Sequence, residues 1–146
     1  MKSFKSLKEK IVKKSAKISI IGFGAAGLFQ AIEFCKVGFT VHGIDKSQEK
    51  VQMINSGKSY IPDIPDSDIL PFLRKGKLKC SDDYGILSSA DIILISVSTL
   101  LDETNKPDVS EVLSVSEEIA KRLTNGQLIL LKSTVPVKTT EEKVLP

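Results

Sequence analysis

Apolar and polar positions follow two different periods along this chain, and the places where the period changes mark its elements. Short apolar runs at Ile18-Ser19-Ile20-Ile21 and Phe39-Thr40-Val41-His42-Gly43-Ile44 read as strands. Two more, Asp91-Ile92-Ile93-Leu94-Ile95-Ser96-Val97 and Leu128-Ile129-Leu130-Leu131, are continuously apolar, the mark of strands buried on both faces. Between the first two lies a helical segment over 25–37, apolar nearly all round, with only Gln30, Glu33 and Lys36 as a polar stripe. Such a helix is expected to be covered on more than one side.

Residues 47–55 predict a second helix closing at Gly57, with Val51 and Ile54 inward. Pro62, Pro65 and Pro71 then argue against a helix interior or central strand over 60–71. A short helix is expected over 69–75, a short strand over 78–80, and a short helix over 82–89. Asp108 with Glu111 three residues on predicts a capped helix, with Val109, Val112, Leu113, Ile119, Ala120 and Leu123 on one apolar face and a stop at Asn125-Gly126. The order strand-helix-strand-helix-loop-strand-helix-strand-helix-strand implies an α/β fold: a doubly wound parallel sheet with right-handed crossovers.

Charge divides the chain. Its formal +3 over 146 residues hides an asymmetry, because residues 1–17 hold seven lysines against Glu9, a net +6 that leaves −3 for the rest. We therefore separate a basic N-terminal arm, 1–16, from a Rossmann domain, 17–146. Phe4, Leu7, Ile11 and Val12 fall near helical spacing, so the arm can form a short amphipathic helix. A solvated or packed-down arm is the expectation, with no nucleic-acid and no membrane partner; contact with an acidic membrane surface or nucleic acid is the alternative.

No run of 18 apolar residues and no N-terminal apolar region occur, so neither a membrane span nor a secretory signal is expected. Cys35 and Cys80 lack any ligand spacing, which argues against a metal site and suits a cytoplasmic protein. Cys35 reads as a small core hydrophobe.

The candidate chemistry follows the first strand, at Gly22-Phe23-Gly24-Ala25-Ala26-Gly27. A GxGxxG motif alone is weak evidence, but here it leaves a strand and opens a helix, and Asp45 ends the next strand 18 residues after Gly27. In a dinucleotide-binding unit Gly22 permits the tight turn, Gly24 lets backbone amides approach a pyrophosphate, and Gly27 lets helix pack on strand. The phosphate sits on the helix N-terminus. Asp45 would accept hydrogen bonds from the adenosine ribose and repel a 2′-phosphate, so NAD is favoured over NADP. A glycine-rich turn in another α/β domain is the alternative. Ligands of such sheets bind beyond the carboxyl ends of the strands, where Ser98-Thr99 and Ser133-Thr134 would join the glycine loop and Asp45; simple loop chemistry accounts equally for those Ser-Thr pairs.

The strings IGFGAAG, FTVHGIDKSQEKVQMINSG, STLLDETNKPD and KSTVPVKTTEE, in this order and spacing, resemble the N-terminal NAD-binding domain of the UDP-glucose/GDP-mannose dehydrogenase family from Lys17 to the C-terminus. Within that family the chain is most similar to the bacterial UDP-N-acetyl-hexosamine 6-dehydrogenases. The resemblance implies a parent enzyme that oxidises the C6 alcohol of a UDP-sugar to a uronic acid with two NAD. It assigns the pyrophosphate to Gly22, Gly24 and Gly27 with Ala25 and Ala26 in the loop, and the adenosine ribose to Asp45 and Lys50. Ser98 and Thr99 would meet the cofactor past the fourth strand, and Thr134 would sit near the nicotinamide and help position catalytic water. A homo-oligomer is expected.

Three departures stand out: Ala25-Ala26 where the family commonly has Tyr-Val, Ser98-Thr99-Leu100 where it has Pro-Thr-Pro, and Val137-Lys138 where it has Pro-Gly. The family's nucleophilic cysteine and its lysine and asparagine partners belong to regions past Pro146, and neither Cys35 nor Cys80 matches the nucleophile. The chain thus corresponds to a domain truncated before the central and C-terminal domains, expected to be inactive alone, with an uncovered sheet edge. Two rival readings share the glycine loop: a regulatory nucleotide-binding module, and the cofactor domain of a β-hydroxyacid dehydrogenase. Neither accounts for the STVPVKTT string.

Overall fold

The computed structural model describes residues 2–101, 105 and 107–146. Part of the STLLDETNKPD string, 102–104 and 106, lies outside the described residues. Helix α1 (Lys2–Val12) leads into β1 (Lys17–Ile21), α2 (Ala25–Lys36), β2 (Thr40–Ile44), α3 (Gln48–Asn55), α4 (Asp66–Arg74) and β3 (Leu78–Ser81). A 3₁₀ helix (Tyr84–Ser89), β4 (Ile92–Ile95), α5 (Ser110–Ala120), β5 (Leu128–Leu131) and a π-helical turn (Thr140–Val144) follow.

All strand pairs are parallel, in the order β3-β2-β1-β4-β5, so the chain steps outward from β1 to one edge and then returns to build the other. Ile18 stands between Val41 and Ile92 in register. Because side chains alternate across a strand, Ile18, Ile20, Val41, Ile92 and Leu94 pack under α2, α3 and α4, whereas Ile21, Ile93 and Ile95 pack under the 3₁₀ helix and α5. This is the doubly wound architecture the sequence predicts.

Several expectations need correction. The run Leu128-Ile129-Leu130 reads as a strand buried on both faces, yet these three side chains are 36–38% exposed. The cause is strand order: β5 is the outermost strand, so one edge and part of its faces have no neighbour among the described residues. Helix α2 buries Gly27, Leu28, Ala31, Ile32 and Cys35 but leaves Phe29 and Val37 more than half exposed, so its second side is not covered.

The short helix expected over 69–75 is α4, which starts three residues earlier at Asp66, so that Pro71 falls in its interior rather than its first turn. Ile69 on that helix is fully buried, and its burial, worth about 1.5–3 kcal/mol, offsets the one backbone bond that proline cannot make. Helix α5 runs from Ser110 to Ala120 with Val109, not Asp108, as its N-cap, and buries Val112, Val115 and Ile119, with Leu123 exposed beyond it. The segment over 82–89 is 3₁₀ rather than α-helical, capped by the Asp83 carboxylate accepting from Gly85 N–H.

The arm is packed down. Leu7 and Ile11 of α1 touch the core, and Lys10 Nζ pairs with Asp91 Oδ1 at 2.5 Å while Asp91 Oδ2 accepts from Lys17 N–H at 2.9 Å. These contacts lie at the amino ends of β1 and β4, opposite the strand tips. An apolar groove of about 560 Å³ runs between Phe4, Ile11 and Val12 of α1 and Leu128 of β5.

Candidate functional site

The carboxyl ends of β2, β1, β4 and β5 stand side by side, and the sequence puts a polar or glycine-rich segment at each. The loop after β1 is shaped by backbone geometry. Gly22 holds φ at 91°, and a Cβ there would lie 2.6 Å from the Ser96 carbonyl oxygen, so no other residue fits the turn that leaves β1 against β4. A Cβ on Gly27 would collide with the Gly22 carbonyl, which is how closely α2 packs on the turn. Gly24 differs from both: a Cβ there meets nothing within 4 Å.

That open space lies at the N-terminus of α2. Gly24 is the N-cap, no side chain among the described residues caps the helix, and Ala25 and Ala26 are exposed. First-turn amides of a helix have no intrahelical acceptor and carry the positive end of its dipole. The residues present therefore fit an anion such as a pyrophosphate.

Asp45 at the tip of β2 is 8% exposed. Its Oδ2 accepts from Phe23 N–H at 2.9 Å and its Oδ1 from Ser47 N–H at 2.9 Å, tying the glycine loop to the start of α3. Each carboxylate oxygen retains a further lone pair for a hydroxyl donor. Lys50 Nζ stands 3.7 Å from Oδ2 and over the Tyr60 ring at 5.7 Å. Tyr60 donates its hydroxyl to the Phe23 carbonyl, so both polar groups of Phe23 are held by side chains from elsewhere. Burial, and next the nearby Asp45 charge, push the Tyr60 hydroxyl far above its usual range, keeping it a donor.

Across the sheet, β4 and β5 tips are laced together. Thr99 Oγ1 donates to the Thr134 carbonyl at 2.7 Å, and Ser133 Oγ donates to the Val97 carbonyl at 2.7 Å. The hydroxyl protons of Thr99 and Ser133 are thereby engaged within the protein, while Ser98 and Thr134 are exposed. Asp45 and Thr134 stand three strand spacings apart, roughly 14 Å, with the glycine loop between them. This suits a ligand with two ends and an anionic middle.

Sequence reasoning missed Tyr60, Gly43, Lys46 and Glu111. Gly43 leaves room for the Phe23 ring, which a Cβ would strike. Glu111 does not fold back as in a capping box; its Oε1 pairs with Lys46 Nζ at 2.9 Å, while Asp108 Oδ1 accepts from Ser110 N–H at 2.8 Å. Lys46 and Glu111, with Asp45, Gly22, Tyr84 and Val97, line a small open cleft of about 30 Å³ over the strand tips. For Lys46 a signal existed, since it adjoins Asp45. Glu111 and Tyr60 have none, because their partners are 65 and 37 residues away.

Neither cysteine is placed to react. Cys35 is buried, its thiol donating to the Lys77 carbonyl, and desolvation pushes its pKa to about 11. Cys80, buried on β3 one residue from the strand tip, is pushed to about 12 by desolvation and then by Asp45. No group of His, Cys, Asp and Glu suited to a metal ion occurs among the described residues, and no described helix is long and apolar enough to cross a membrane.

A parallel sheet wound on both faces, with an open glycine-rich helix N-terminus at its switch point, defines a dinucleotide-binding domain. Residues 16–146 match the model of the UDP-glucose/GDP-mannose dehydrogenase family's NAD binding domain, and the chain belongs to that family. It is 34% identical over 128 residues to the UDP-N-acetyl-D-mannosamine dehydrogenase of Pyrococcus horikoshii, covering 86% of this chain and 30% of that protein. Identity to the enzyme of the same name from Campylobacter jejuni is 36% over 129 residues, covering 86% and 31%. A ternary complex of GDP-mannose dehydrogenase from Pseudomonas aeruginosa superposes with a TM-score of 0.83 at 27% identity, over 88% of this chain and 31% of that one. The chain thus spans about 30% of the length of the curated relatives it matches. The two rival readings, a regulatory module and a β-hydroxyacid dehydrogenase domain, are not favoured by these similarities.

Proposed function

We propose that residues 17–146 bind NAD across the strand tips as the cofactor domain of a nucleotide-sugar 6-dehydrogenase, with residues 1–16 a separate basic arm. The observation that carries this reading is the uncapped N-terminus of α2 beside an open Gly24, tied through Phe23 N–H to Asp45. First-turn amides of residues 24–27 would hold the pyrophosphate, Asp45 with Lys50 the adenosine ribose, and Ser98, Thr99 and Thr134 the nicotinamide end. NAD supplies the hydride acceptor when bound.

The chain's own residues bind, orient and select. The Asp45 carboxylate accepts from ribose hydroxyls and opposes a 2′-phosphate. Exposed Thr134 offers a hydroxyl for a water near the reacting carbon. The names of the relatives support a UDP-N-acetyl-hexosamine as substrate, taken in the intact enzyme from alcohol to carboxylate with two NAD. Such an oxidation needs a nucleophile for the aldehyde-level carbon. Cys35 and Cys80, buried and held as neutral thiols, do not provide it, so that group belongs to the rest of the enzyme. A homo-oligomer is proposed for the intact enzyme, and two free thiols suit a reducing compartment.

Calorimetric titration with NAD and NADP tests the cofactor reading. Saturable NAD binding, at least tenfold tighter than NADP, is expected; no heat with either contradicts it.

A further inference from the structure

Lys46 is out of place beside Asp45 if the site simply excludes a 2′-phosphate. It directly follows the carboxylate that would hold the ribose hydroxyls, and a cation at this position is the device by which nucleotide sites accommodate a 2′-phosphate. The structure gives that cation another partner. Glu111, in the first turn of α5 where the helix dipole favours a carboxylate, reaches across the crevice and holds Lys46 Nζ at 2.9 Å. The Glu111 carboxylate, by hydrogen bond and by charge, raises the pKa of the Lys46 ammonium, with Asp45 adding in the same direction.

Lys46 is 80% exposed and anchored only at its tip, whereas Glu111 is 32% exposed and rises from a helix. The lysine is therefore the arm that moves, and where it goes depends on whether Glu111 still attracts it.

We propose that Glu111 is a specificity-determining residue: its ion pair with Lys46, spanning β2 and α5 over the strand tips, withholds the ammonium from the ribose 2′ position. Discrimination against NADP then rests on two carboxylates, Asp45 by repulsion and Glu111 by sequestering the cation. This inference rests on the cofactor reading above.

The test measures NAD and NADP dissociation constants by calorimetry for the full chain and for Glu111→Gln, Lys46→Gln and the double variant, with circular dichroism to confirm folding. Both sites are at the surface, so all four proteins should fold. In Glu111→Gln the NADP-to-NAD affinity ratio should rise about three- to fivefold, the size expected when a lysine is released from a solvent-exposed ion pair. In the double variant it should return to the starting ratio. A ratio that stays within twofold in Glu111→Gln, including the case where both nucleotides tighten equally, overturns the inference while leaving the cofactor reading intact. A starting chain that binds neither nucleotide overturns both.

Discussion

Asp45 Oδ2 accepts a hydrogen bond from Phe23 N–H at 2.9 Å, so the carboxylate at the tip of β2 also fixes the middle of the glycine loop. One residue therefore serves two ends of a nucleotide site: it offers lone pairs to a ribose and it sets the path of the backbone that meets the phosphate. Asp45→Ala should weaken NAD binding about ten- to hundredfold, the loss of a charge-assisted hydrogen bond of about 1.5–3 kcal/mol. It should also lower the melting temperature, because Phe23 N–H and Ser47 N–H lose their acceptor. Asp45→Asn, which keeps one oxygen, should recover more stability than affinity. Titration and thermal melts of the two variants give the comparison; equal NAD affinity in all three proteins would remove Asp45 from the site.

Tyr60 holds the other side of the same peptide through the Phe23 carbonyl, under the Lys50 ammonium. Tyr60→Phe keeps the ring and deletes only the hydroxyl. A neutral hydrogen bond nets about 0.5–1.5 kcal/mol, so NAD affinity should fall roughly two- to tenfold. Adenosine alone, which does not use the phosphate loop, should bind as before. An equal loss for both ligands would mean that Tyr60 acts on overall stability instead of on the loop.

Helix α1 packs at the amino ends of the strands, away from the tips. Removing residues 1–16 strips the partly buried Leu7 and Ile11 from the core and should cost roughly 2–4 kcal/mol of stability. The NAD dissociation constant should stay within about twofold. Denaturant melts and titration of the shortened protein decide this, and a folded protein with a large loss of NAD affinity would contradict the separation of arm and site.

The thiols set an alkaline limit. Burial raises the Cys35 pKa from 9.0 to about 11 and that of Cys80 to about 12, so the folded protein holds these protons more tightly than the unfolded chain does. Their contribution to stability is whole below about pH 9 and declines as the pH rises toward 11, because there only the unfolded state releases protons. A Cys35→Ala, Cys80→Ala variant should lose less of its melting temperature over that interval. At pH 8 a thiol reagent should label neither cysteine in the native protein and both after denaturation; rapid native labelling would show that one of them is accessible.

What could be read before the structure was whatever depends on local pattern. The glycine spacing, the strand that ends at Asp45 and the helix over 47–55, seen as α3, are settled within a few residues of chain. What escaped depends on which segments become neighbours. Leu128-Ile129-Leu130 carries the same pattern as the fully buried Ile92–Ile95, and only the outer place of β5 in the sheet separates their burial. Glu111 has the spacing of a capping box, yet a lysine from another strand tip takes its carboxylate. Tyr60 lies in a proline-rich connection with no periodicity to assign it a face, although its hydroxyl reaches the centre of the candidate site. Pro71 shows the converse: the helix around it was legible, but burial of Ile69 extends it back to Asp66 and places the proline in its interior.

The central claim is that the open N-terminus of α2 receives the dinucleotide, and Gly24→Val tests it most directly. A Cβ there meets nothing within 4 Å, so the variant should fold with an unchanged circular dichroism spectrum and a melting temperature lowered only by the poorer valine N-cap, but the added methyl groups would occupy the pyrophosphate's place. Calorimetric titration of NAD into both proteins should show saturable binding to the parent chain and a loss of at least a hundredfold in the variant. Unchanged NAD affinity in folded Gly24→Val would show that the loop is only a turn.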